Sequence, residues 1–159
     1  MDTYSMFKKI KINYDDIVEK EKIIVNYIVQ SSDTFSIIPI IQKPYSQDPP
    51  VFDYCECFYS FADKYIFDRN EWLTDFSGKL KHQIMVVCRC NKKSRNVLLN
   101  LPNLFLPAEN NLPEDLCCYR KEELWFGTIS HEKIAFFTNA TDDDITFLKS
   151  NNIKYFEVI

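Results

Sequence analysis

The second half of the chain contains three short apolar runs that only a few polar residues separate. The runs cover residues 116–119, 124–130 and 134–138. Runs of this length and composition between polar segments are typical of neighbouring β-strands. The segment His131-Glu132-Lys133 between the last two runs is short enough for a tight hairpin. The spacing therefore predicts three successive short strands, the last two of which form a hairpin.

Two other segments have the apolar spacing of amphipathic helices. Asn13 or Asp15 can cap a helix that continues to about residue 30. Thr141 can cap a second helix, since Asp144 follows three residues later and three carboxylates lie near the positive end of the helix dipole. Residues 91–95 indicate a turn, and residues 96–101 begin a further short helix.

Additional strands are predicted at residues 35–42, around residues 84–87, and at the end of the chain. Residues 153–159 have apolar side chains on both faces, which favours an internal strand. We expect a single α+β domain over residues 1–159. Its mixed or mainly antiparallel sheet would hold five to seven short strands, with two or three helices on one face.

Composition excludes several classes of function. Only two glycines occur among 159 residues, too few for a glycine-rich phosphate-binding loop. The net charge of −4 argues against nucleic acid as the main partner, because phosphate binding needs clustered Lys and Arg. The longest uncharged apolar run, residues 35–41, is far shorter than the ~20 residues of a transmembrane helix. The N-terminus lacks the pattern of a secretory signal, so a cytoplasmic protein without membrane contact is expected.

The six cysteines occur as three close pairs, Cys55/Cys57, Cys88/Cys90 and Cys117/Cys118. A reducing compartment favours buried apolar thiols over disulfides. Two Cys-x-Cys pairs on neighbouring strands are an alternative, a four-thiolate zinc site. Structural zinc sites usually place Cys-x2–4-Cys on a turn, so we expect no metal and no cofactor.

Candidate binding residues lie in and beside the three strands of the second half. They are Asp115, Arg120, Trp125, His131 and Glu132. Asp115 and Arg120 can form an ion pair, and Trp125 can join Tyr119 and Phe126 in an aromatic binding surface or pack in the core. His131 with Glu132 has the composition of a general base with an orienting carboxylate, although histidine is also common in turns.

The same segment offers a thiol- or histidine-dependent hydrolase as the alternative function. Cys117 or Cys118 would be the nucleophile, with His131 as the base and Glu132 as its partner. This arrangement requires the side chains to converge in one pocket. No serine nucleophile elbow and no HExxH motif is present. We therefore predict no catalytic residue and leave the enzyme class open as the alternative.

Several segments of the chain occur in a recognisable order. They are Asn70-Glu-Trp72, Leu101-Pro-Asn-Leu104, Leu112-Pro-Glu-Asp-Leu-Cys117, Tyr119-Arg120, Trp125-Phe126 and Ile129-Ser-His-Glu132. In this order they resemble a family of small bacterial proteins with the signature PEDLCFxR…WF…SISHE, often labelled stage III sporulation protein AH. The resemblance covers about residues 60–150 and departs at Lys133-Ile134, where the family tends to have an acidic residue. It implies a bacterial cytosolic domain with a preferred surface but no reaction.

Small size, acidic charge and the lack of a catalytic motif together favour a non-enzymatic module that binds a protein partner. An immunity-type protein that neutralises a basic toxin fits this description. Its binding surface would use the loop at residues 101–113 and the segment at residues 120–132. The sequence makes no prediction of the oligomeric state.

Overall fold

The computed structural model of the chain describes residues 8–38, 62–66, 85–100, 105 and 114–158. These residues form strands, α-helices and one short 3-10 helix at Ser130–Glu132. The strands are β1 (Lys8–Ile12), β2 (Thr34–Ile38), β3 (Ala62–Ile66), β4 (Met85–Arg89), β5 (Glu114–Arg120), β6 (Glu123–Ile129), β7 (Ile134–Ala140) and β8 (Tyr155–Val158). The helices are α1 (Tyr14–Ser31), α2 (Lys92–Leu99) and α3 (Asp142–Ser150).

The described strands form one antiparallel sheet in the order β3-β4-β2-β5-β6-β7-β1-β8. Every neighbouring pair in this order is antiparallel. The predicted run of three strands in the second half is confirmed, and β6 and β7 pair across the turn at residues 130–133. The α+β fold class is therefore as predicted, with eight described strands where five to seven were expected.

One hydrophobic core joins the sheet to all three described helices. Strand residues at alternate positions, such as Ile10 and Ile12, point to the same face of the sheet. Because α1, α2 and α3 all contribute to this one cluster, they cover one face of the sheet. The helix residues of the cluster are Ile17, Ile24, Val25, Ile28 and Val29 from α1, Leu98 from α2 and Leu148 from α3.

Helix α1 begins where the sequence predicts. The side-chain oxygen of Asn13 accepts hydrogen bonds from the backbone N–H groups of Asp15 and Asp16, at 3.1 and 3.3 Å. This bonding satisfies two of the donors that every helix start leaves without a helical partner. The helix has a kink at Lys20, whose φ of −116° and ψ of 21° are not helical. Of the two caps that the sequence predicts, Asn13 and Asp15, the structure has Asn13.

Helix α2 corrects the prediction of a turn at residues 91–95. The helix begins at Lys92 and is capped by Asn91, whose side chain accepts from the backbone N–H of Ser94 at 3.1 Å. The Ser94 hydroxyl in turn accepts from the backbone N–H of Asn91 at 2.9 Å. Serine stands where glutamate or glutamine is usual, so the sequence pattern does not reveal this reciprocal cap.

Strand β8 corrects the prediction of an internal strand at residues 153–159. In the described sheet β8 pairs only with β1 and lies at the edge. Phe156 and Val158 are 57% and 45% exposed, whereas Tyr155 packs against the core. Strand β8 therefore has one face that packs against the core and one face that is exposed, and apolar residues occur on both. Ile159 lies outside the described residues.

Candidate functional site

Asp144 closes the start of helix α3. Its carboxylate accepts hydrogen bonds from the backbone N–H of Thr141 at 2.8 Å and from the Thr141 hydroxyl at 2.9 Å. The Thr141 hydroxyl accepts from the backbone N–H of Asp144 at 3.4 Å. This reciprocal pair confirms the cap predicted from the spacing of the two residues.

The same carboxylate is fully buried and binds three side chains from other elements. The Tyr27 hydroxyl of α1 donates at 2.6 Å and the Trp125 indole nitrogen of β6 at 3.0 Å. Arg120 of β5 donates from both terminal nitrogens, at 3.2 and 3.3 Å. We refer to Tyr27, Arg120, Trp125, Thr141 and Asp144 as the Asp144 cluster. It joins α1, β5, β6 and α3 through one acceptor group.

Protonation states in the Asp144 cluster follow from burial and hydrogen bonding. Burial alone would raise the pKa of Asp144. Hydrogen bonds from Tyr27, Thr141 and Trp125, together with the positive charge of Arg120, outweigh burial and hold this pKa below its usual value. Burial and the neighbouring carboxylate raise the pKa of Tyr27 to about 12. At neutral pH the carboxyl group is therefore ionised and the phenol is protonated.

The saturation of Asp144 limits the chemistry of the cluster. Six donor groups contact a carboxylate that offers about four lone-pair positions. No position is left to accept a proton from a substrate, and a carboxylate with a lowered pKa is a weak general base. The Asp144 cluster is therefore suited to hold neighbouring surfaces rigid rather than to transfer protons.

Arg120 connects the cluster to the C-terminus of α1. Its guanidinium carbon lies 3.4 Å from the centroid of the Trp125 ring, and its Nε donates to the carbonyl oxygen of Ser31 at 3.0 Å. Ser31 is the last residue of α1, where carbonyl groups lack helical partners. A planar guanidinium can stack on an aromatic ring and bind a carboxylate with two hydrogen bonds at once, which lysine cannot.

A β-bulge directs Trp125 into the core. Cys118 pairs with Phe126 and Tyr119 pairs with Leu124, so Trp125 is an extra residue on β6. Both Trp125 and the adjacent Phe126 consequently belong to the core cluster. The Tyr119 hydroxyl instead bonds the Ser36 hydroxyl at 2.9 Å. The three aromatic residues proposed as a binding surface thus do not form one, and core packing is observed for Trp125 and Phe126.

An open groove with a volume of about 670 Å³ borders the Asp144 cluster. Its walls come from the start of β1, the turn between β5 and β6, the end of β7 and the first turn of α3. Lys8, Lys121, Glu123 and Asp142 contribute charged side chains to it. Arg120 and Trp125 form part of its lining, so the groove has a rigid floor.

The turn beside the groove has an unusual backbone. Lys121 and Glu122 both adopt positive φ, at 48° and 67°. This left-handed geometry suits a two-residue hairpin, but Asn and Gly are its usual occupants, and other residues are strained there by roughly 1–2 kcal/mol each. The backbone N–H of Lys121 donates to the Asp33 carboxylate at 2.8 Å, which anchors the turn.

The five predicted binding residues divide between the two ends of the sheet. Arg120 and Trp125 lie together in the Asp144 cluster. Asp115 lies at the opposite end of the same strands, with its side chain accepting from the backbone N–H of Ser130 at 2.8 Å. The Ser130 hydroxyl accepts from the backbone N–H of Asp115 at 2.9 Å.

His131 and Glu132 follow Ser130 in the 3-10 turn. Their side chains are 69% and 53% exposed, and Nε2 of His131 lies 3.7 Å from the Glu132 carboxylate. Trp125 and Ile129 are four residues apart on β6, so at ~3.3 Å per residue roughly 13 Å separates the Asp144 cluster from the end of the strand that leads to His131. The predicted residues therefore do not converge on one site.

The convergence required by the hydrolase alternative is not observed. Cys117 and Cys118 are buried in the sheet, at 2% and 0% exposure, whereas His131 is exposed in its turn. Burial raises the pKa of the Cys118 thiol well above its usual value, the opposite of what a nucleophile needs. Cys117 and Cys118 form no disulfide, and the same holds for Cys88 and Cys90.

Two predictions fall largely outside the described residues. The zinc alternative depends on Cys55 and Cys57, which lie outside them, as does all of the loop at residues 101–113 except Phe105. Within the described ranges, no group of three or more His, Cys, Asp or Glu residues is arranged to hold a metal ion.

Of the helices that the structure describes, none combines the length and apolar character needed to cross a membrane.

The sequence indicates a binding role for two members of the Asp144 cluster but not for the carboxylate on which they converge. Arg120 and Trp125 were predicted as binding residues, and Asp144 only as part of a helix cap. Tyr27 was predicted only as part of a helical segment, since it meets Asp144 across 117 positions of sequence. The capping position of Asp144 was the one local signal that pointed to a fixed carboxylate.

Comparison of the chain with models of protein families, with curated proteins and with solved structures gives no match. The resemblance to the sporulation-labelled bacterial family therefore stays a prediction. The site has to be interpreted from its own geometry.

Proposed function

We propose that this protein is a non-catalytic binding module that takes a cationic segment of another protein into the groove beside the Asp144 cluster. The observation that carries the proposal is a groove of about 670 Å³ with a rigid floor and with Glu123 and Asp142 on its margin. An immunity-type role against a basic toxin in the bacterial cytoplasm is the form of this function that agrees with the net charge of −4.

The charge of the whole chain supports a cationic partner. The net charge is −4, and complementary charge accelerates association and suppresses wrong partners. At the groove itself the charges are mixed: Glu123 and Asp142 contribute carboxylates, and Lys8 and Lys121 contribute ammonium groups. The two carboxylates are the groups of the groove that would contact cationic side chains of the partner.

The backbone of the β5–β6 turn gives a second line of support. Residues in strained backbone conformations persist where surrounding contacts impose them, and they concentrate at binding sites. Lys121 and Glu122 occupy left-handed positions where Asn-Gly would be relaxed. A requirement for a charged side chain at the edge of the groove accounts for this choice.

The experiment compares two double variants that remove the same charge. Glu123→Gln/Asp142→Asn neutralises the groove margin, and Asp15→Asn/Glu19→Gln neutralises one early-helix aspartate and one glutamate on the exposed surface of α1. Immobilised wild type and both variants are used to capture proteins from the host lysate under reducing conditions. The captured protein is then purified and titrated in a calorimeter at two salt concentrations.

We expect a basic protein that binds wild type and the α1 variant alike and the groove variant at least ~10-fold more weakly, with affinity falling as salt rises. Equal binding by both variants would show that the binding site lies outside the groove. Capture of no basic protein would contradict the proposed function itself.

A further inference from the structure

Two charged residues of the groove lie in a row across the ends of three neighbouring strands. In the register of β6 and β7, Phe126 pairs with Phe137, and the same register continued to the strand ends places Glu123 opposite Ala140. On the other side of β7, Ala140 pairs with Lys8 of β1. Because neighbouring strands are about 4.8 Å apart, the Cα atoms of Glu123 and Lys8 lie roughly 10 Å apart. The row therefore has a carboxylate at one end and an ammonium group at the other.

These two side chains are available to a ligand. Lys8 and Glu123 are exposed, and both line the groove. Neither of them forms an ion pair within the part of the chain that the structure describes. Ala140, which lies between them in the row, is small and uncharged. The groove therefore presents one negative and one positive end to the molecule that it binds.

Lys121 also lines the groove, but its charge is offset by its neighbours in the turn. The next two residues, Glu122 and Glu123, are exposed carboxylates. Strand β1, in contrast, has the sequence Lys-Lys-Ile-Lys-Ile and supplies no carboxylate beside Lys8. Asp142, the other carboxylate of the groove, begins α3 and forms no ion pair with Lys8 among the described residues. Lys8 is therefore the lysine through which the groove can attract a negative group.

We propose that the groove takes a segment with both signs of charge, in which a cationic side chain contacts Glu123 and a carboxylate contacts Lys8. This inference rests on the proposed function, because it describes the segment that the groove would receive. About three residues of extended chain span the distance between the two ends. A segment in the reverse direction would oppose like charges at both ends, so the groove selects the direction as well as the composition of its partner.

The effect of removing Lys8 separates this segment from a purely cationic one. A purely cationic segment is repelled by Lys8, so Lys8→Gln would strengthen its binding. A segment with a carboxylate at this position loses a contact, so Lys8→Gln would weaken its binding. Lys9→Gln is the matched control, because Lys9 is the next residue of β1 and is exposed but does not line the groove.

Titration of the full chain with synthetic peptides, followed by NMR chemical shifts at low salt, tests the charge pattern directly. Two hexapeptides with blocked ends, Gly-Arg-Gly-Gly-Glu-Gly and Gly-Arg-Gly-Gly-Arg-Gly, differ only in the sign of the second charge. We expect wild type and Lys9→Gln to bind the arginine–glutamate peptide at least ~3-fold more tightly than the two-arginine peptide. The preference should disappear in Lys8→Gln and reverse in Lys8→Glu, and the amide spectra of the variants check that they fold.

A third peptide identifies the source of the carboxylate. Gly-Arg-Gly-Gly with a blocked N-terminus and a free C-terminus carries its negative charge on the end of the chain. Binding as tight as that of the arginine–glutamate peptide would assign Lys8 to a chain terminus of the partner, and weaker binding would assign it to an acidic side chain.

The two failures are distinguishable. Equal binding of the two hexapeptides to wild type, tighter binding of the two-arginine peptide, or no binding of either at millimolar concentration would overturn the mixed-charge segment. A preference that is lost in Lys121→Gln rather than in Lys8→Gln would also overturn it. Each of these results leaves the capture of a basic protein unaffected, whereas a lysate without such a protein contradicts the proposed function and not the charge preference that the peptides measure.

Discussion

The two ends of the β5–β6–β7 sheet are built differently although the same strands supply both. At the groove end, side chains from α1, β5, β6 and α3 meet on the buried Asp144 carboxylate. At the other end, the reciprocal Asp115–Ser130 pair fixes the strand ends, and His131 and Glu132 are exposed beyond it. At the groove end the contacts join side chains that are far apart in the sequence, whereas at the other end they join neighbouring segments.

The groove end is a rigid surface, whereas the other end is the turn of a hairpin. Because the Asp144 cluster ties four elements together, the groove beside it can present charged groups in fixed positions. The opposite end holds exposed charges on a short turn, and its buried Asp115 carboxylate accepts from the backbone N–H of Ser130 in the neighbouring segment. Substitutions at the two ends should therefore differ in cost, and the following measurements rank them.

Removing the carboxylate of the cluster should have the largest effect. Asp144→Ala leaves the buried donors of Arg120, Trp125 and Tyr27 without their acceptor and also removes the α3 cap. Breaking a buried ion pair costs about 3–5 kcal/mol. We expect a loss of this size in the free energy of unfolding measured by urea denaturation.

Asp143→Ala is the matched control, since Asp143 is an exposed aspartate in the same helical turn. Its removal weakens only the interaction with the helix dipole and should cost less than about 1 kcal/mol. Equal losses for the two variants would show that the cluster adds nothing beyond helix-start electrostatics.

The free energy of unfolding at acid pH should also depend on the Asp144 carboxylate. The pKa of Asp144 in the folded protein lies below its usual value, so the unfolded chain binds a proton more readily than the folded one. The resulting stability is fully present above the unfolded pKa of about 3.9 and is lost as pH falls through the lower folded pKa.

Comparing wild type with Asp144→Asn as a function of pH isolates this contribution. The gap between their free energies of unfolding should narrow as pH falls below about 4, because the asparagine side chain does not titrate. A gap that stays constant through the acid range would mean that Asp144 has the same pKa in both states.

The helix caps can be predicted from the sequence, but the meeting of distant side chains at Asp144 cannot. The caps at Asn13 and Thr141 depend on residues two or three positions apart. Thr141 is the cap that the sequence predicts, and Asn13 is one of the two candidates, Asn13 and Asp15, for the other helix. The contact between Tyr27 and Asp144 depends on the arrangement of α1 against α3, which no local pattern contains. The position of Trp125 depends on a β-bulge, and an extra residue in a strand leaves no signature in apolar spacing.

At the opposite end, the buried Asp115–Ser130 pair should have a moderate effect. Ser130→Ala removes the hydroxyl that accepts from the backbone N–H of Asp115 in a buried position. The loss of such an acceptor costs about 1–3 kcal/mol, so we expect a decrease in unfolding free energy below that of Asp144→Ala. His131→Ala, one residue further on and exposed, should stay within about 0.5 kcal/mol of wild type. A larger cost for His131→Ala would reveal a structural role that its exposure does not suggest.

The last expected effect is a gain in stability, at the β5–β6 turn of the groove end. Lys121→Asn/Glu122→Gly places the residues that favour positive φ where the backbone already adopts it, and should raise the unfolding free energy by about 1 kcal/mol. Asn139→Ala, a substitution on the groove wall in strand β7, serves as a comparison that leaves the turn unchanged. If the charged side chains of the turn are retained for binding, the stabilised variant should bind the basic partner more weakly than wild type. A variant that gains stability without losing affinity would mean that the strain at Lys121 and Glu122 is unrelated to the partner, and the groove would then have to recognise it through Glu123 and Asp142.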